Sequence, residues 1–114
     1  WFAAAKDVGL FAVAIELATR SPTDPRTLTR AARDYADKQP EFALSAGLTA
    51  LHWISRGHGY EVTGGDVLDA HAVVMHAAAK AGIATDGINA QIREMCAAPG
   101  GRLLQTILAR HLSQ

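Results

Sequence analysis

One stretch of the chain, residues 40–56, has apolar side chains on nearly every side of the helix that its periodicity predicts. The apolar residues spread around that helix are Phe42, Ala43, Ala46, Ala50, Leu51, Trp53 and Ile54. A helix with so little polar surface is stable only when other elements cover it on several sides. The sequence therefore predicts that this helix is the central layer of an all-helical fold.

A narrow polar stripe runs along the same predicted helix, formed by Ser45, Thr49, His52 and Arg56 at spacings of four, three and four residues. The simpler interpretation of the stripe is an ordinary solvent-exposed helix face. The alternative is a binding surface that continues into the glycine-rich loop after the helix, where His58 lies. Both interpretations remain open from the sequence.

Proline, glycine and capping residues divide the chain into about six helices joined as short hairpins. The predicted helices cover residues 1–6, 10–19, 25–38, 40–56, 66–81 and 86–97, with a short terminal helix at 102–112. Asp24 is the predicted N-cap before Pro25, whose missing N–H is harmless at a first helical position. Thr63 and Asp66 have the spacing of a capping box, and Gly82 is the predicted end of the helix that follows.

Residues 5–17 resemble residues 36–48 at an offset of 31 positions. Four pairs are identical, namely Ala5 and Ala36, Phe11 and Phe42, Ala12 and Ala43, and Leu17 and Leu48. Periods of this length are typical of helical-hairpin repeats, in which each hairpin buries its apolar face against the next. This 31-residue repeat predicts stacked antiparallel hairpins, as in a fragment of a right-handed tetratricopeptide-like superhelix.

Two resemblances to known families bear on this prediction. The spacing of Ala43, Ala50 and Leu51 resembles the second helix of a tetratricopeptide repeat, although the Trp, Leu-Gly and Tyr pattern of that family's first helix is not at matching positions. Over residues 10–82 the chain resembles a group of bacterial all-helical proteins without an established function. The segments that carry this likeness are 20–28, 31–36, 47–53 and 57–63. The likeness implies a helical-hairpin fold and a bacterial origin. Some members of that group are attached to SWIM-type zinc-binding proteins.

Charge and composition narrow the partners that the chain can have. Eleven basic and eleven acidic residues cancel, which argues against nucleic acid as a partner, because nucleic-acid affinity depends on clustered positive charge. No apolar run approaches the roughly 20 residues that span a bilayer.

The chain has a single cysteine, which forms no intrachain disulfide and fits a reducing compartment, so we expect a cytoplasmic protein. We interpret residues 1–114 as one helical domain, the C-terminal part of a longer chain.

Three arginines at helical spacing, Arg26, Arg30 and Arg33, form a short basic ridge. Such a ridge could hold a phosphate or an acidic peptide. Asp34 and Asp37 lie four residues after Arg30 and Arg33, and i,i+4 pairs of this kind usually belong to a solvated helix face. We therefore expect the two aspartates to neutralise part of the ridge.

The remaining reactive residue types suggest no chemistry of their own. His71 and His76 are five residues apart and face different directions on one helix, whereas helical metal ligands are spaced by three or four. We expect His71 to be buried, and Cys96 to be a small buried hydrophobe rather than a nucleophile. The sequence predicts no catalytic residue, no metal ligand and no cofactor.

These observations favour a noncatalytic helical scaffold that mediates protein–protein or self-association. The alternative is an accessory helical domain of a larger enzyme or of a zinc- or nucleic-acid-binding protein whose chemistry lies upstream. The expected partner is another protein, another copy of the chain, or a preceding part of the same polypeptide. Trp1 and Phe2 would be exposed unless such a partner covered them.

Overall fold

The computed structural model describes residues 2–7, 9–59 and 61–112, which contain seven helices and no strand. The helices are α1 (Phe2–Asp7), α2 (Phe11–Arg20), α3 (Pro25–Tyr35), α4 (Pro40–Ser55), α5 (Gly64–Ala81), α6 (Thr85–Ala97) and α7 (Arg102–Leu112). The all-helical prediction is confirmed, and the seven helices correspond to the six predicted ones together with the predicted short terminal helix, which has 11 residues. Among the described helices, none has the length and apolar character that crossing a bilayer requires.

Helix α4 lies at the centre of the fold, where it contacts α2, α3, α5, α6 and α7. Its residues Ala46, Ala50 and Leu51 are completely buried. Gly47 allows α5 to approach α4 closely, since a Cβ atom at this position would lie 2.7 Å from Cγ2 of Val74 on α5. The prediction of a central helix covered on several sides is confirmed.

The first segment of the 31-residue repeat spans the end of α1 and most of α2, which contact each other, whereas the second begins in the turn after α3 and continues into α4, which contacts α3. The matched residues Phe11 and Phe42 contact each other, with ring centroids 4.8 Å apart. The two copies nevertheless pack differently, because Ala12 is exposed whereas Ala43 is completely buried. Helical hairpins are therefore present, while the tetratricopeptide-like, right-handed stacking of repeats stays a prediction.

Phe2, at the start of α1, is covered by the fold itself. Phe2 is only 5% exposed and stacks on Phe42, with ring centroids 6.1 Å apart. Tyr35 meets the same Phe42 ring edge-on at 5.6 Å. Phe2 thus needs no external partner, and the corresponding expectation for Trp1 lies outside the described residues.

The predicted helix ends are largely confirmed. Asp24 precedes Pro25 at the N-cap position of α3, although its carboxylate accepts a hydrogen bond from the Thr27 hydroxyl (3.1 Å) instead of from the backbone. Thr63 and Asp66 form the capping box of α5, which begins two residues earlier than predicted. Gly82 ends α5 with a φ of 69°, a left-handed conformation that costs glycine little.

Helix α3 ends at Tyr35, three residues before the predicted end at Lys38, and residues 36–38 form a turn. The turn leads to Gln39, which has an extended φ of −135° before Pro40. A residue that precedes proline is disfavoured in the helical region, because the proline ring crowds its backbone. Asp37 consequently lies beyond the helix instead of on its polar face.

Candidate functional site

Helices α3 and α5 run side by side in the same direction against α4 and enclose a shallow groove, the α3–α5 groove. At one end Arg26 of α3 pairs with Asp66 of α5, with Nη2 and Oδ2 3.0 Å apart. At the other end Asp37 contacts His76 at 3.2 Å and Lys80 at 3.6 Å. Because ion pairs bridge both ends, only the middle of the groove is open to a ligand.

The groove consists of two depressions of about 160 and 230 Å³, which share Arg33 on their rim. The first is lined by Pro25, Arg26, Thr29, Arg30, Arg33, Ile54, Asp66 and Asp69, and the second by Arg33, Ala36, Asp37, Ala72, Val73 and His76. Thr29, Ile54 and Ala36 are buried and form the floor, whereas the charged residues stand on the rim. The groove therefore offers a partner a largely apolar floor between charged walls.

Arg26, predicted as a ligand-binding residue, joins the two walls of the groove. Its Nε and Nη2 donate hydrogen bonds to the two carboxylate oxygens of Asp66 at 3.1 and 3.0 Å, and Nη2 also donates to the Glu61 carbonyl at 2.8 Å. The hydrogen bond from Arg26 is the main reason that the pKa of Asp66 lies below its ordinary value. The same bond raises the pKa of Arg26. Arg26 therefore has a structural partner and is not a free cation of the ridge.

Replacing Asp66 by alanine is expected to destabilise the protein by about 1 kcal/mol at neutral pH, because the capping box of α5 is lost. A pKa that is lowered in the folded state stabilises the fold above the ordinary pKa of about 4, and this contribution disappears as the pH falls through the folded-state value. The difference between wild type and Asp66→Ala should therefore shrink towards zero in acid. Urea denaturation across the acid range measures it, with Asp69→Ala as the exposed control, and a difference that persists undiminished in acid would contradict the assignment.

Arg30 and Arg33 are exposed, and neither forms a hydrogen bond or ion pair with any residue in the described part of the chain. The expected neutralisation by Asp34 and Asp37 is wrong. Asp37 is in the turn after α3 and pairs with α5, and the hydrogen bond with His76 is the main cause of its lowered pKa. Asp34 stays on the helix, but an arginine that precedes its aspartate by four residues is the less favourable order for such a pair.

The polar stripe of α4 is not the solvent-exposed face that the simpler interpretation expected. Thr49 is buried, and its hydroxyl donates a hydrogen bond of 2.7 Å to the Ser45 carbonyl one turn earlier. Ser45 and His52 are half-buried, and only Arg56 is exposed. Because helices surround α4, the stripe is buried at Thr49 and fully reaches the surface only at Arg56.

His52 lies in a separate depression of about 290 Å³ between α4 and α6, which Arg56, Glu94 and Met95 also line. Burial is the main cause that lowers the pKa of His52, with Arg56 and His58 contributing in the same direction. The nearby Ser55 hydroxyl donates to the backbone carbonyl of His52 at 2.6 Å. That hydroxyl therefore satisfies a helix carbonyl and makes no bond to the imidazole.

His58 and His52 both contact Trp53, and each imidazole meets the indole edge-on, with centroid distances of 5.1 and 4.7 Å. The indole Nε1 donates a hydrogen bond of 2.6 Å to the Ala18 carbonyl of α2. His58 is exposed and lines another depression, beside Thr23. The predicted binding residues are thus divided among three places, and only the three arginines share one groove.

The interpretations of Cys96 and His71 as buried residues are confirmed, since each side chain is 8% exposed. Burial raises the pKa of the Cys96 thiol, which disfavours the thiolate that a nucleophile needs. Within the described residues, no three His, Cys, Asp or Glu side chains lie close enough together to hold a metal ion.

Sequence reasoning missed the α5 wall of the groove, formed by Asp66, Asp69, Ala72, Val73 and His76. Asp69, Ala72, Val73 and His76 have the three- and four-residue spacing of one helix face, which was a detectable signal. The sequence did not indicate which other helix this face meets.

Comparisons of the chain with protein-family models, with curated proteins and with solved structures gave no match. The resemblance to a bacterial helical family therefore stays a prediction.

Proposed function

We propose that this chain is a noncatalytic helical scaffold that binds another protein, or a second copy of itself, through the α3–α5 groove. The observation that carries the proposal is the pair Arg30 and Arg33, two exposed cations on the groove rim that form no ion pair with the described residues. The neutral chain has equal numbers of acids and bases. The fold nevertheless concentrates these two cations beside a buried apolar floor.

The groove walls suit recognition without rearrangement. Helix α3 has 11 residues, which corresponds to a wall of roughly 16 Å. The ion pairs of Arg26 with Asp66 and of Asp37, in the turn after α3, with His76 connect the two walls. A partner that binds such a preorganised surface loses less free energy to ordering than one that binds a loop.

The groups with catalytic potential favour a noncatalytic role. The raised pKa of Cys96 disfavours its nucleophilic form. Ser55 is 2% exposed and uses its hydroxyl on the backbone of its own helix. Both residues are accounted for by packing and helix structure.

One observation favours the second candidate, an accessory domain of a larger protein. Leu10 and Val13, three residues apart at the start of α2, are 53% and 43% exposed. A neighbouring domain of the same polypeptide would cover these two side chains. In that arrangement α2, rather than the α3–α5 groove, forms the main interface.

Site-specific photo-crosslinking tests the proposal. A photoreactive amino acid replaces Ala72 in the groove, Val13 on α2 or, as the matched control, the exposed Ala90 on α6. Crosslinking in cells that express the chain should give one identified product from position 72, either a defined partner or the dimer of this chain, and none from position 90. Products from position 13 alone would favour the accessory domain, and equal products from all three positions would contradict the groove.

A further inference from the structure

We infer that the ligand of the α3–α5 groove is a short acidic peptide segment that places two carboxylates on Arg30 and Arg33. This inference rests on the proposed function and names the chemistry of the partner. Arginine binds carboxylates through two parallel N–H donors, which makes such pairs stronger and more directional than neutral hydrogen bonds. Both guanidinium groups are available to a ligand, because the fold uses neither in the described residues.

The distribution of charge in the groove distinguishes a peptide from a phosphate polymer. Arg26 and Asp66 neutralise each other, which leaves Arg30 and Arg33 on the α3 wall opposite Asp69 on the α5 wall. A nucleic acid presents only negative charge and would be repelled by Asp69. A peptide carries carboxylates for the arginines together with backbone N–H groups or a cationic side chain for Asp69, so it complements both walls.

The closed ends of the groove limit the length of the segment. The pairs of Arg26 with Asp66 and of Asp37 with His76 span it at either end. Arg30 and Arg33 lie between these bridges, with a rise of about 4.5 Å between them along α3. Alternate residues of an extended peptide are roughly 7 Å apart. Two long arginine side chains can spread apart far enough to contact both residues. Three to four extended residues therefore fill the open part, and the side chain between the two carboxylates faces the α5 wall, because neighbouring side chains of an extended peptide point to opposite sides.

Two synthetic hexapeptide libraries are the probes. Both are randomised except at the second and fourth positions, which are Glu in one library and Gln in the other. The immobilised wild-type chain should retain the Glu library at least about ten-fold more than the Gln library at low ionic strength. Arg30→Ala/Arg33→Ala should abolish this preference, whereas the exposed α7 variant Arg102→Ala should keep it. Thermal denaturation confirms that each variant is folded.

Equal retention of the two libraries, or an unchanged preference in the double variant, would overturn the inference. Displacement of the Glu library by inorganic phosphate at the same concentration would also overturn it, because the site would then bind anions without regard to the peptide. The proposed function fails separately from this inference. If a partner crosslinks at position 72 but the chain shows no preference for the Glu library, the scaffold proposal stands and the acidic ligand is wrong. If nothing crosslinks at position 72, the groove is not the binding surface and the proposed function fails.

Discussion

Gly101→Ala is expected to lower the free energy of unfolding by about 3 kcal/mol. Gly101 is buried between α6 and α7, and a Cβ atom there would overlap the carbonyl oxygen of Met95 and lie 2.7 Å from that of Cys96. Both obstacles are backbone atoms at the end of α6, so no side-chain rotation relieves the overlap. Either α6 or the start of α7 must move away from the core.

The matched control for this change is Gly87→Ala in the first turn of α6. A Cβ atom at Gly87 would have no neighbour within 4 Å. Alanine is also the better helix former, so this substitution should be neutral or stabilise the protein by up to about 1 kcal/mol. Chemical denaturation of both variants measures the difference, and a Gly101→Ala protein as stable as wild type would show that the close contact between α6 and α7 is wrong.

Leu51→Ala is expected to cost roughly 2 to 5 kcal/mol of stability. Leu51 is completely buried on α4, and five helices contact α4. A cavity in this position is held open from several sides, so the surroundings relax only partly after the side chain is truncated.

The control for Leu51→Ala is the same truncation at Leu68, which is 44% exposed on α5. Leu68→Ala should change the stability by no more than about 0.5 kcal/mol, as is usual for surface positions. Equilibrium unfolding in urea compares the two. Similar losses for both variants would contradict the central position of α4.

The parts of the fold that could be predicted from sequence are those governed by local interactions. The capping box of Thr63 and Asp66 and the helix end at Gly82 involve residues only a few positions apart. The burial of α4 was also predictable, because a helix that is apolar on most sides requires neighbours. The end of α3 was missed because the conformation of Gln39 depends on the ring of Pro40 after it, which the helical pattern of residues 25–38 does not reveal.

The candidate site was only half predictable, because it depends on which helices become neighbours. The ridge of Arg26, Arg30 and Arg33 was visible as a periodic pattern, but the position of α5 decides which of these arginines can bind a ligand. Asp66 is 40 residues from Arg26 in sequence. Because Asp66 forms an ion pair with Arg26, this arginine is not available to a ligand. Asp37 paired with His76, 39 residues away, which left Arg33 without its expected partner.

Binding of a partner in the α3–α5 groove is tested most directly by titrating the ¹⁵N-labelled chain with the partner captured at position 72 and following the backbone amide resonances. We expect the changes to concentrate at Arg30, Arg33, Ala72 and Val73. Changes confined to α2 near Leu10, or to α6, with the amides of the groove unmoved, would contradict it.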